Sequence, residues 1–266
     1  MLGLHSANDE IETLRLFYDV KTGYERLQDD INDFVDNIIP VMERPGTIEH
    51  NKAIMRKAEL IENANGFLKL LDDVSHQDSV VDIQKEEEDG IALVLFWVTV
   101  SIIKLHASLT TDEVVYDGFY THFEEALGHA EHAYDYIRKR GKKMTTSLAL
   151  PNRGMPILFW VAWKCRDAIL RRRVADLLQS SWRTYQFECD GYWISAIEKV
   201  IDIETGSVPT ADSTPVMDQN RIYALKVSPD CLSKGNKQEA IIRYKVGKST
   251  RSDSSLWIEA RTSTSV

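Results

Sequence analysis

Cysteine is scarce in this chain: Cys165, Cys189 and Cys231 are the 3 among 266 residues. They stand far apart, no CxxC pair occurs, and an odd number cannot complete a disulfide framework. Neither a zinc site nor a disulfide scaffold is indicated, and a reducing compartment suits such a chain. Positive charge is also in deficit, with 32 Lys and Arg against 41 Asp and Glu, a formal net charge of -9 and a pI near 5.3. A broad DNA-binding surface needs a basic face to neutralise phosphates, so the bulk charge leaves room for a local patch only. Long apolar runs are missing too. The stretch GIALVLFWVTVSII (90–103) stops at Lys104, short of the roughly 17–25 residues that span a bilayer, and reads as a buried helix. The N-terminus, MLGLHSANDEIE, lacks the basic and apolar regions of a secretory signal. A soluble intracellular protein without a membrane span is expected. Among enzyme motifs, GxSxG, GxGxxG, the Walker loop and HExxH are all absent.

What is present is helical periodicity over the first two-thirds. Ile11, Leu14, Phe17 and Tyr18, then Leu27, Ile31, Phe34, Val35 and Ile38, recur at offsets of three and four until Pro40. Gly23 is a candidate break in this stretch. The turn signal ERPG (43–46) precedes a second helical segment over 47–72, and SHQDSVVDIQKEEEDG (75–90) is a polar, acidic connection. The apolar helix 91–109 follows. TTDE (110–113) then reads as an N-cap for a helix carrying Tyr116, Phe119, Tyr120, Phe123, Leu127, Ala130 and Tyr134. ILFWVAWKCRDAILRRRVADLLQSS (157–181) and a stretch over 192–205 complete the helical part. RIYALKVSP (221–229) and EAIIRYKV (239–246) alternate with period two and predict a β-hairpin. The expected fold is all-α, an irregular bundle of antiparallel helices with a short C-terminal β-hairpin. Residues 1–205 form the helical domain, 206–246 the linker and hairpin, and 247–266 a Ser/Thr-rich disordered tail. No fixed-period repeat supports a solenoid.

Four constellations carry chemistry. In HFEEALGHAEH (122–132), His122, His129 and His132 share a helix face with Glu125 one turn before His129. Such spacing can ligate a metal, but ligands from other helices would be needed, and a polar helix face is preferred. The cluster Arg138, Lys139, Arg140, Lys142 and Lys143 is a nuclear-import candidate, although basic residues in a last helical turn also complement the macrodipole. Trp160 and Trp163 form either a stacking platform or, the preferred reading, helical core. Finally, KCRDAILRRR (164–173) concentrates basic residues around Asp167. On a continuous helix, Leu170, Val174, Leu177 and Leu178 form the buried stripe and the arginines are distributed around it. Asp167 would pair with Arg171, and Asp176 with Arg172 and Arg173. No single base-reading face results, so direct DNA readout is not expected.

The run PILFWVAWKCRDAILRRRVADLLQSS (156–181) resembles the C-terminal regulatory region of fungal binuclear zinc-cluster transcription factors. In that family a Pro-Leu-aromatic helix enters a Lys-Cys-Arg-Asp turn, followed by an arginine-rich helix ending in paired leucines. Pro156, Lys164, Cys165, Arg166, Asp167, Arg171, Arg172, Leu177 and Leu178 are in register with it. DEVVYDGFYTHFEEALGHAE (112–131) is similar to the family's upstream acidic-aromatic helix, and the two predicted strands to its C-terminal strand pair, so the resemblance covers about 90–246. Where the family carries Arg-Arg-Glu-Gly-Leu-Trp-Asp, this chain has SWRTYQFECDGYW (181–193), and the six-cysteine zinc cluster is missing.

The resemblance implies a nuclear regulatory domain, with the cytoplasm as alternative location. It would act in transcription regulation without its own sequence-specific DNA binding. Its partners would be other protein chains, a second copy among them, or a small-molecule effector. Trp160, Trp163, Arg166, Asp167 and Arg171 are the interaction candidates. No catalytic residue, cofactor or metal is assigned. The alternative is a helical small-molecule or metal-dependent enzyme using the His122/His129/His132 face.

Overall fold

The first apolar stretch builds one helix. A computed structural model describes residues 7–38, 44–75, 84–110, 112–140, 154–185, 191–205, 221–229, 237–246 and 258–265. Helix α1 (Ala7–Asn37) runs through Gly23, so the expected break is absent. A Cβ at Gly23 would lie 3.2 Å from the Phe67 ring of α2 (Ile48–Ser75), and the glycine instead permits close helix approach. The ERPG turn places Gly46 at φ 83, a conformation that favours glycine. Thr47 then caps α2, its hydroxyl accepting from His50 N at 3.2 Å.

Helix α3 (Gln84–Ala107) contains the window Gly90–Ala107, long and apolar enough to cross a membrane, yet 78% of that window is buried inside the protein. A helix that is apolar all round belongs in a core. Phe96, Trp97, Ile103 and Leu105 are all buried, and the Tyr24 ring lies 5.5 Å from that of Trp97. Ile31, Leu60 and Leu105 form the seam where α1, α2 and α3 meet, with Leu27, Phe34, Val35 and Ile61 packed against it.

The chain divides into two compact units, Met1–Leu109 with Glu125–Pro151, and Thr110–Glu124 with Asn152–Val266. This division differs from a helical domain ending at 205 with an appended hairpin. It runs through α4 (Tyr120–Arg140) and groups the sheet with the last helices. In the second unit, Asp112 caps a 3-10 helix (Glu113–Phe119) by accepting from Val114 N. The single helix expected over this region is thus a 3-10 segment followed by α4. Helices α5 (Gly154–Lys164), α6 (Ala168–Tyr185) and α7 (Gly191–Thr205) follow. The expected continuous helix 157–181 is broken at 165–167, where Asp167 Oδ1 accepts from both Ile169 N and Leu170 N at 2.9 Å. That double acceptance is an N-cap, which starts a new helix in preference to extending the old one.

The fold is mostly α with a small C-terminal antiparallel sheet, in the order β1 (Ile222–Pro229), β2 (Lys237–Val246), β3 (Ile258–Ser265). The predicted hairpin is β1–β2. The third strand corrects the expectation of a disordered tail over 247–266: IEARTSTS pairs with β2 along its whole length, with Ile258 opposite Tyr244 and Ser265 opposite Lys237. Its Ser/Thr content reads as disorder by composition, but Ile and Thr are β-branched and suit a strand. Across the sheet Val227, Ile242 and Ala260 form one row and Lys226, Arg243 and Glu259 the next. Ile242 is buried while Lys226, Arg243 and Glu259 are exposed, so the first row faces inward. A register shift between Ile222 and Ala224 marks a bulge at the start of β1.

Candidate functional site

The residues of KCRDAILR close a helix end. The last carbonyls of an α-helix lack intrahelical partners and must be satisfied by other donors. At α5, Val161 O accepts from Cys165 N at 2.8 Å. Arg171 Nε donates to Ala162 O at 2.9 Å and to Cys165 O at 2.7 Å, and its Nη2 reaches Trp163 O at 3.2 Å. Arg166 Nη1 takes Lys164 O at 3.3 Å. One arginine from the first turn of α6 thereby folds back over the end of α5, while Asp167 caps α6. The whole turn is held by side chains from its own sequence.

Around this turn lies a buried ion cluster. Glu113 of the 3-10 helix accepts from Lys164 Nζ at 2.8 and 3.0 Å and from Arg166 Nη2 at 2.9 Å. Glu204, near the end of α7 and fully buried, is ion-paired to Arg171 and accepts from Ile222 N at 2.8 Å. Arg166 Nε lies 3.6 Å from the other face of the same carboxylate. Asp117 binds Arg221 through two oxygens, at 2.9 and 2.6 Å. Four cations thus meet three carboxylates in one region. In low dielectric such charges persist only when each has close partners. The 3-10 helix suits this role because its residues three apart lie in one column: Glu113, Tyr116 and Phe119 are partly shielded, whereas Val114, Asp117 and Tyr120 are exposed.

The tryptophans belong to the same region and are half-buried, neither a free platform nor full core. Trp163 Nε1 donates to Ile222 O at 2.9 Å, and Lys164 Nζ lies 3.7 Å from the Trp163 ring centroid. Trp160 meets Tyr116 edge-on at 5.8 Å and Phe123 at 6.3 Å. Burial lowers the Lys164 pKa, with Glu113 opposing, and burial raises that of the Tyr116 hydroxyl.

Cys165 is buried, and burial pushes its thiol up to about 11. The thiolate is the reactive form, so Cys165 is expected to resist iodoacetamide in the native protein at about pH 8. Peptide mapping by mass spectrometry checks this: alkylation of Cys165 should appear only after denaturation, and rapid native labelling would contradict the burial.

The expected Asp167–Arg171 side-chain pairing is replaced by the cap and the Glu204 pair. On an unbroken helix the two would be neighbours, but once Asp167 turns to the amides of α6 its carboxylate is committed. Glu113, Asp117, Glu204 and Arg221 were not singled out from sequence. Glu204 has a legible signal, since it follows buried Ile197 and Val200 at offsets of seven and four, placing a carboxylate on an apolar stripe.

The histidines do not converge. His122 is half-buried with its ring against Phe119 at 5.6 Å, His129 is half-buried, and His132 is exposed. Among the described residues no group of three His, Cys, Asp or Glu is placed to hold a metal. Burial lowers the His129 pKa, with Glu125 opposing and His132 adding to the lowering. The unfolded chain therefore binds this proton more readily, and stability is lost as pH falls below about 6.5 toward the folded pKa. His129→Gln should flatten that part of the acid response in urea titrations between neutral and mildly acidic pH. An unchanged pH slope would contradict it. Arg138, Lys139 and Arg140 end α4, with side chains outside those described; Lys142 and Lys143 lie outside the described residues.

Comparison of the chain with protein-family models, with curated proteins and with solved structures gives no significant match.

Proposed function

We propose that this chain is a transcription-factor-type regulatory module without a DNA-binding zinc cluster of its own, acting in the nucleus through contacts with other protein chains. A small-molecule effector is the second kind of input such a module would take. One observation carries the reading. Lys164, Arg166, Asp167 and Arg171, which bear the resemblance to the zinc-cluster factors, are the side chains that close α5, start α6 and hold the ion cluster. A resemblance running through such residues is of the kind that marks a common architecture. The same placement turns these groups inward, away from any base-reading surface: Arg166 and Arg171 side chains are 4% and 3% exposed.

The test has two arms. In a gel-shift assay at physiological salt the purified chain should give no sequence-specific complex. Tethered to a heterologous DNA-binding domain, it should change the output of a reporter gene. Tight, specific and salt-robust DNA binding would overturn the proposal, and so would an inert tethered chain. Stoichiometric zinc or iron in the purified protein, lost on substituting His129 and His132, would favour the metal-enzyme alternative instead.

A further inference from the structure

The start of β1 is held as a bound peptide would be. Arg221 and Ile222 are both buried, at 5% and 0% exposure, and four kinds of contact converge on them from the helical part of the same unit. Asp117 grips the Arg221 guanidinium with both carboxylate oxygens, the paired geometry that favours arginine over lysine. Glu204 accepts the backbone N–H of Ile222 at 2.8 Å, and the Trp163 indole donates to its backbone C=O at 2.9 Å. The Ile222 side chain is fully enclosed, and the bulge that follows sets this residue apart from the regular strand.

Backbone N–H and C=O capture of an extended residue, with one charged and one apolar side-chain pocket, is how peptide-recognition sites combine affinity with specificity. The two groups that grip the main chain are also built in beforehand. Glu204 is fixed by Arg171, and Trp163 is fixed by its place on α5 beside Lys164. We infer that the pocket formed by Asp117, Trp163 and Glu204 is a docking site for an extended peptide carrying arginine followed by a β-branched aliphatic residue. The chain's own Arg221–Ile222 occupies it here. Residues 206–220 connect this segment to α7, and a tether of that length holds an occupant at an effective concentration of order millimolar. An external segment of the same chemistry, from a partner protein, would therefore have to displace the resident one. The inference concerns peptide recognition and does not rest on the transcriptional reading.

The test uses the full chain with a protease site placed within 206–220, cleaved after purification. A fluorescent peptide of the chain's own sequence, NRIYALKV (220–227), is the probe, read by anisotropy. It should bind the cleaved protein, bind the uncleaved protein at least about tenfold more weakly, and be displaced by unlabelled peptide. Replacing the arginine of the peptide by alanine should weaken binding by about tenfold or more, as expected when one partner of a shielded charge pair is removed. Asp117→Asn in the protein should do the same; Asp117 is 41% exposed, so this variant keeps the fold. Absence of peptide binding to the cleaved protein, or binding indifferent to both substitutions, would show that Arg221–Ile222 is fixed core and not an exchangeable ligand.

Discussion

Glu204→Ala is expected to destabilise the protein by about 3–5 kcal/mol, the cost of leaving buried charge without its counter-ion. Arg171 would keep its carbonyl acceptors but lose its only carboxylate partner among the described residues. Arg166 would retain Glu113, and the Ile222 N–H would face an empty position. Glu204→Gln separates these contributions. A carbonyl oxygen can still accept from Ile222 N, so the smaller loss it causes reports on charge alone. Urea unfolding of both variants gives the comparison, and an effect below about 1 kcal/mol for Glu204→Ala, typical of an exposed pair, would contradict the burial.

Trp97→Ala is expected to cost about 3–5 kcal/mol, for a different reason. Trp97 is 1% exposed on the all-apolar face of α3, and removing its indole opens a cavity and strips the Tyr24 ring of its neighbour. Trp97→Phe should recover a large part of the loss because it refills much of the volume. Thermal unfolding with near-ultraviolet dichroism reads both. Equal losses for Ala and Phe would mean that the indole matters through something other than volume.

These two residues were not equally legible in the sequence. The run around Trp97 declares itself by composition: fourteen uncharged residues without a polar face have nowhere to go but a core, and α3 is buried as expected. Periodicity likewise marked α1, α2 and the strands β1 and β2. It failed at 165–167 because apolar spacing continues across the KCRD turn, whereas the break is made by Asp167 capping the next helix. It failed at β3 because Ser/Thr richness hides a β-branched alternation, whose pairing depends on a distant strand. The arginines of 164–173 were legible as non-uniform around the helix, but their partners were not. Glu113, Glu204 and Arg221 are brought to them from segments 51, 33 and more residues away, and local spacing carries no information on such pairing.

The central claim is that the KCRD turn is a buried ionic closure, and a double-mutant cycle on Arg171 and Glu204 tests it most directly. Arg171→Met and Glu204→Leu should each cost several kcal/mol, since each leaves the other's charge buried and unpaired. The double variant should cost less than their sum by more than about 1 kcal/mol, because no unpaired charge remains. Additive losses, or single variants within about 0.5 kcal/mol of the parent protein, would mean that the two groups do not meet in a desolvated pair, and the account of this turn would be wrong.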